Sequence, residues 1–206
     1  MWVYIIQGLG LGLAAAAQPG PFQAYLISQS LRLGWRKALP AALAPLLSDG
    51  PIITLTLLIL SRIPPLLQQG LHFAGGFFIL FLAARMGQSL RKGAADEGTH
   101  SGTQVQSVWN AALMNLLNPN PYIYWSLVTG PILIAAWRSS SLYGLGFLVA
   151  FYTSMLTGLA AVIVFFGVSR NLGPKVNQVL LIISTVVLGC FGILQLWLGL
   201  RSLIAV

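Results

Sequence analysis

The chain has 206 residues, 57% of them hydrophobic and only 7% charged, with a formal net charge of +8. Soluble domains carry roughly a quarter charged residues, and so few charged side chains could not cover an aqueous surface. A soluble globular domain is excluded, and lipid is the expected solvent for most of this protein.

Charged or turn-rich breaks divide the chain into apolar runs near 2–31, 38–60, 70–89, 107–137, 142–168 and 176–200. A bilayer needs about 20 apolar residues per helix, so six transmembrane helices are predicted. Strands of a transmembrane barrel would alternate apolar and polar residues, and LLIISTVVLGCFGILQLWLGL at 180–200 does not. The expected fold class is an all-α polytopic membrane protein, a single transmembrane domain over residues 1–206. The first run is expected to stay in the mature protein, because MWVYIIQ lacks the Lys or Arg that leads a signal peptide.

That first run is interrupted by QPGPF at 18–22. Proline lacks an N–H and clashes with the preceding turn, so the helix is expected to stop there and restart. A restarted helix exposes unpaired N–H groups and a partial positive charge, which suits a carboxylate. Gln18, Pro19, Gly20, Pro21 and Phe22 are therefore candidate substrate-binding residues. The plainer reading is that prolines merely kink a membrane helix, which is common.

In the second run, Asp49 is the one acid inside a predicted span, since Asp96 and Glu97 lie in the polar stretch 91–106. An acid at membrane depth is costly and is a functional candidate by default. Able to be charged or neutral, it suits proton coupling; charged, it suits a substrate ammonium. Alternatively, Ser48 or Asp49 in SDGP (48–51) caps a helix restarting at Pro51, in a span that Pro40 and Pro45 already make irregular. His72, near the outer end of the third run, is expected to be interfacial rather than a proton relay.

The fourth run repeats the pattern of the first. NPNPY occupies 118–122, with Pro119 and Pro121 each 100 positions after Pro19 and Pro21, and an aromatic (Tyr25, Trp125) follows three residues later in both. A duplication is predicted: repeat 1 about 1–90, a polar linker 91–106, and repeat 2 about 107–206. A half with three spans begins on one face and ends on the other. The expected architecture is therefore two three-helix inverted-topology repeats with Pro-broken first helices, whose equivalent breaks mark the binding site. Asn118, Pro119, Asn120, Pro121 and Tyr122 join the candidates, with Asn115, because amides in lipid need partners. Phe22, Tyr25, Tyr122, Tyr124 and Trp125 could hold a cationic group over their rings, although aromatics in spans more often serve packing. In the sixth run Gln195 is ambiguous and the lone Cys190 reads as a small apolar filler.

The basic residues report topology rather than nucleic-acid binding. Arg32, Arg36, Lys37, Arg85, Arg91, Lys92, Arg170 and Lys175 follow the first, third and fifth spans, against Arg62, Arg138 and Arg201 on the other side. The positive-inside rule places those three loops in the cytoplasm and both termini outside. Intramembrane catalysis is not expected, since one acid cannot make a protease pair and no HExxH is present. No cofactor, metal or nucleic acid is called for; the expected partners are a small-molecule substrate and membrane lipid, with a homodimer left open. An ion channel or metal-ion exporter is the alternative built on the same broken helices.

The PGP at 19–21, the SLRLGWRK loop at 30–37, the SD at 48–49 and the LNPNP at 117–121 come in an order that resembles the lysine-exporter (LysE) family of bacterial amino-acid exporters. The resemblance covers essentially the whole chain. It implies an inner-membrane exporter of amino acids or related small metabolites, driven by the proton motive force. Phe22 after PGP, the glycine-poor ALPAALAPLL at 38–47, and NPNP in place of the family's more familiar NPKA depart from the pattern. Lysine itself is not implied as the substrate.

Overall fold

The computed structural model describes residues 1–58, 65–91, 104–169 and 173–204, so most of the expected linker lies outside them. All secondary structure among these residues is helical. Helix α1 (Trp2–Ala17) stops where Gln18 turns extended, and α2 (Pro21–Leu33) starts after an extended Gly20. Pro21 takes the first position of α2, where a missing N–H costs nothing. The short α3 (Trp35–Ala38) and a 3-10 turn over Leu39–Leu43, holding Pro40, lead into α4 (Ala44–Leu58).

The helix does not restart at Pro51. α4 runs straight through it, so neither Ser48 nor Asp49 is a cap. Pro51 withholds one backbone donor, and membrane helices tolerate that where hydroxyl side chains help satisfy the local backbone. Ser48 Oγ donates to the Ala44 carbonyl at 3.2 Å and Thr54 Oγ1 to that of Gly50 at 2.8 Å, although neither serves the Leu47 carbonyl that Pro51 leaves without its helical donor.

Helix α5 (Pro65–Arg91) precedes the linker, and α6 (Gln104–Leu116) follows it. The second break falls at Asn118, extended at φ −88 and ψ 124. From there α7 (Pro119–Tyr124) passes through a π-helical turn over Trp125–Thr129 into α8 (Gly130–Ser139). Helices α9 (Ser141–Ser169) and α10 (Pro174–Ile204) are long and unbroken.

Four helical stretches are long and apolar enough to cross a bilayer: Trp35–Thr56, Gln69–Gln88, Ser141–Ser169 and Lys175–Arg201. The runs 2–31 and 107–137 are instead divided into pieces at their prolines, which leaves α1 as a shorter apolar helix. Helices before the linker pack mainly on helices after it: α1 on α9, α5 on α10, α4 on α6.

The α1–α9 contact is a seam of small residues. Gly8, Gly12 and Ala16, four apart, form the buried stripe of α1, and that spacing puts them on one face. A Cβ on Gly8 would lie 2.6 Å from the Phe147 carbonyl oxygen, and one on Gly12 would strike that of Phe151 and the Ser154 hydroxyl. Backbones approach this closely only where side chains are absent, as in other membrane helix pairs. Away from the closest contacts the two helices carry exposed Ile6, Leu9, Leu13, Val149 and Phe165, a surface suited to lipid. Cys190 is also exposed, so it is not the buried filler expected.

Trp125, Tyr25, Phe147 and Phe151 are the largest fully buried side chains. Phe151 meets Trp125 edge-on, with ring centroids 5.3 Å apart, which locks the π-helical turn against α9.

The seam yields a contrast between neighbouring glycines. Gly12→Val must push two helices apart and is expected to cost about 1–3 kcal/mol, read as a lower thermal midpoint in detergent. Gly10→Val, with nothing within 4 Å of its Cβ, is expected to leave the midpoint nearly unchanged. Equal effects at both positions would show that the seam does not hold α1.

Candidate functional site

The two proline breaks are alike in shape and unlike in chemistry. At the first, Gly20 has no side chain to cap α2, and Pro21 has no N–H. The first backbone bond into the helix runs from Ala24 N–H to the Gly20 carbonyl at 3.0 Å, so the amides of Phe22 and Gln23 lack an intrahelical acceptor. At the second break the first turn reads Pro119-Asn120-Pro121, and two of three donors are missing by composition. The third, Asn120 N–H, donates to Asn118 Oδ1 at 3.1 Å. Free backbone donors for an anion therefore remain only at the first break.

Asp49 stands between the breaks, buried on α4. Asn115 of α6 donates through Nδ2 to Asp49 Oδ1 at 3.0 Å and to Ser48 Oγ at 2.7 Å. From α9, the Tyr152 hydroxyl donates to Asp49 Oδ2 at 3.1 Å. The Trp125 indole is a further polar neighbour. Both carboxyl oxygens thus act as acceptors, an arrangement that suits an ionised carboxylate. Such bonds contribute about 1.5–3 kcal/mol each.

A cavity of about 80 Å³ lies against this carboxyl, bounded by both breaks and by α9. Of the residues expected from sequence, Gln18, Pro19, Gly20, Phe22, Asp49, Asn115, Asn118, Asn120, Pro121 and Trp125 line it. Pro21 and Pro119 do not; they begin the helices behind the wall. Tyr25 and Tyr122 do not either. The Tyr25 hydroxyl donates to the Ser107 carbonyl at 3.4 Å and that of Tyr122 to Leu116 at 2.9 Å, so both phenols are spent on packing α2 and α7 against α6.

Residues 13–199 match the LysE type translocator family. The chain belongs to that family. No curated protein and no solved structure matches it. The LysE-type match spans both breaks, Asp49 and α9, so the cavity lies wholly within the family region. The family's members are transporters, and a multi-pass membrane translocator is what this helical chain is.

Other lining residues of the LysE-type chain were not expected. Ala15, Gln23, Pro45 and, from α9, Phe151, Met155 and Leu159 complete the wall. Tyr124, by contrast, was among the aromatics expected from sequence; it lines the cavity while its hydroxyl donates to the Leu11 carbonyl at 2.8 Å, tying α7 to α1. Gln23 is held by its side-chain bond to the Ala16 carbonyl across the first break. Tyr152 carried a faint signal, since a phenol in the apolar run LVAFYTSML must find a hydrogen-bond partner. His72 is buried and bonded to Gln195. Among the described residues, no group of three or more His, Cys, Asp or Glu comes together to hold a metal ion.

The acceptor-only geometry at Asp49 predicts coupled mutations. Asp49→Asn presents an amide to one of two donors, and Tyr152→Phe removes one of those donors. Each is expected to lower stability by about 1–3 kcal/mol, and the double variant to lose at least 0.5 kcal/mol or so less than their sum. Strict additivity in chemical or thermal unfolding would show that the pair is not formed.

Proposed function

We propose that this LysE-type translocator is a secondary transporter that exports amino acids or related small metabolites across the bacterial cytoplasmic membrane, coupled to protons, by alternating access. The observation that carries this reading is the buried Asp49, which faces the cavity from one half of the chain and is bonded by two residues of the other.

An α-amino acid brings an ammonium and a carboxylate a few ångströms apart. Asp49 offers the ammonium an anion, and the aromatic residues Phe22, Tyr124 and Trp125 line the same cavity. The uncapped first turn of α2 offers the carboxylate its free amides. Protonating Asp49 turns one acceptor oxygen into a donor. Asn115 Nδ2 can only donate to Oδ1, but the Tyr152 hydroxyl can turn to accept from a protonated Oδ2. Both contacts then persist as weaker, neutral hydrogen bonds, and α4 is held less firmly to α6 and α9. A proton and a substrate ammonium thus compete for the group that joins the halves, which is the minimum needed for coupled exchange.

In this reading the interrupted pairs α1–α2 and α6–α8 each cross the membrane once, making six spans. Support comes from the pairing of helices. Exchanging the halves converts α1 on α9 into α6–α8 on α4, and leaves α5 on α10 as its own counterpart; all these contacts are present. Such pairing is what two related halves would give, and with three spans each it supports the inverted arrangement proposed here. The excess of Arg and Lys after the first, third and fifth spans puts both termini outside. Export is the direction the family resemblance implies.

Flux into proteoliposomes tests the whole reading. Labelled amino acids are expected to move saturably and faster under an imposed pH gradient. Asp49→Asn is expected to lose gradient-driven flux by about tenfold or more, the worth of one lost hydrogen bond to a charged group. An ohmic ion current without amino-acid flux would overturn the reading in favour of a channel. Gradient dependence unchanged in Asp49→Asn would remove Asp49 from the coupling.

A further inference from the structure

A second buried polar chain reaches the cavity at Asn118, and the proton coupling above makes no use of it. His72 on α5, Gln195 on α10 and Asn118 at the second break are all buried. His72 Nδ1 lies 2.5 Å from Gln195 Oε1, and Gln195 Nε2 lies 3.4 Å from Asn118 Oδ1. The chain ends on the backbone amide of Asn120, which donates to the same Asn118 oxygen.

That terminal amide sets the direction of every bond. A backbone N–H is a donor only, so Asn118 must present its oxygen there, at 3.1 Å. The same oxygen then accepts from Gln195, so Gln195 turns its NH2 toward Asn118 and its own oxygen toward His72. His72 must in turn carry its proton on Nδ1. With its oxygen doubly engaged, Asn118 has only its Nδ2 donors left, and they have no partner among the described residues. Asn118 lines the cavity.

We propose that His72 is a positioning residue: through Gln195 it holds the Asn118 side chain so that its Nδ2 donors serve the carboxylate of the substrate. This rests on the transporter reading above. It also supplies what the second break lacks. Composition and capping leave no free backbone N–H there, and an oriented side-chain amide provides the donor that complements the open amides of α2 across the cavity.

The tautomer is directly readable, because the chain has only two histidines. In 15N-histidine-labelled protein carrying His100→Gln, nitrogen NMR is expected to show His72 protonated on Nδ1, the tautomer that free histidine disfavours in water. Adding Gln195→Leu removes the acceptor and is expected to move the proton to Nε2. For whichever labelled amino acid the unmutated protein moves in proteoliposomes, His72→Leu and Gln195→Leu are expected to raise KM about tenfold with little change in maximal rate. His72→Asn keeps an N–H near the Nδ1 position and is expected to stay within about threefold of the unmutated KM. An Nε2 proton in the unmutated chain, an unchanged KM in His72→Leu, or His72→Asn as impaired as His72→Leu would each overturn the proposal. Absence of all amino-acid flux in the unmutated protein would instead overturn the transporter reading and the substrate half of this one, while the tautomer still decides the hydrogen-bond chain.

Discussion

A carboxyl group placed in an apolar protein interior must be met by donors, and the choice of donors decides what is held to what. Asp49 takes one bond from Asn115 and one from Tyr152, and both belong to helices after the linker. The acid on α4 therefore acts as a polar fastener between the two halves, beside neutral bonds such as Tyr25 to Ser107 and Tyr124 to Leu11. Lipid tails offer helices no hydrophobic reason to associate, so small-residue contact and buried hydrogen bonds carry a larger share of the specificity than in water. The Gly8–Gly12 seam fixes α1 on α9 through shape alone, and Asp49 fixes α4 on α6 and α9 through chemistry. Shape is indifferent to protonation; the carboxyl is not.

The proline breaks work because they leave α1 anchored while α2 departs. α1 stays on α9 through its glycines, whereas α2 packs on α10, α9 and α6 as well. The gap between the two pieces is where the cavity forms, and Gln18, Pro19 and Gly20 of the irregular stretch line it. Non-helical backbone at membrane depth is tolerated only in such a setting. The second break meets the same demand differently, by spending Asn118 on the lone available donor and letting two prolines remove the rest.

What could be read in the sequence was whatever interrupted the apolar background. PGP, NPNP, Asp49 and Asn115 are departures from a greasy run, and each reached the cavity wall. What could not be read was contributed by elements with nothing to interrupt. α9 supplies Phe151, Met155, Leu159 and the Tyr152 hydroxyl from a continuous apolar helix, and only its neighbours reveal which face is inward. Pro51 misled in the other direction, because one missing donor in a membrane helix is too small a perturbation to end it. Tyr25 and Tyr122 shared the spacing of the repeat but not its chemistry, since a phenol beside a backbone carbonyl is captured by it before it reaches a ligand.

The two Pro-x-Pro breaks therefore differ in a definite physical direction. At the first break, glycine in place of a capping side chain leaves the helix end open. At the second, Asn118 closes it and is itself oriented by Gln195 and His72, two residues of the α5–α10 pair that exchange of the halves maps onto itself. One half thus meets the cavity with backbone and the other with a side chain. A backbone donor moves only with its helix, whereas a side-chain donor can keep its bonds while helices shift by a fraction of an ångström. A cavity met in the same way by both breaks would offer the same donors at each end; this difference gives the cavity a polarity, and the proposed amino-acid substrate would be aligned along it.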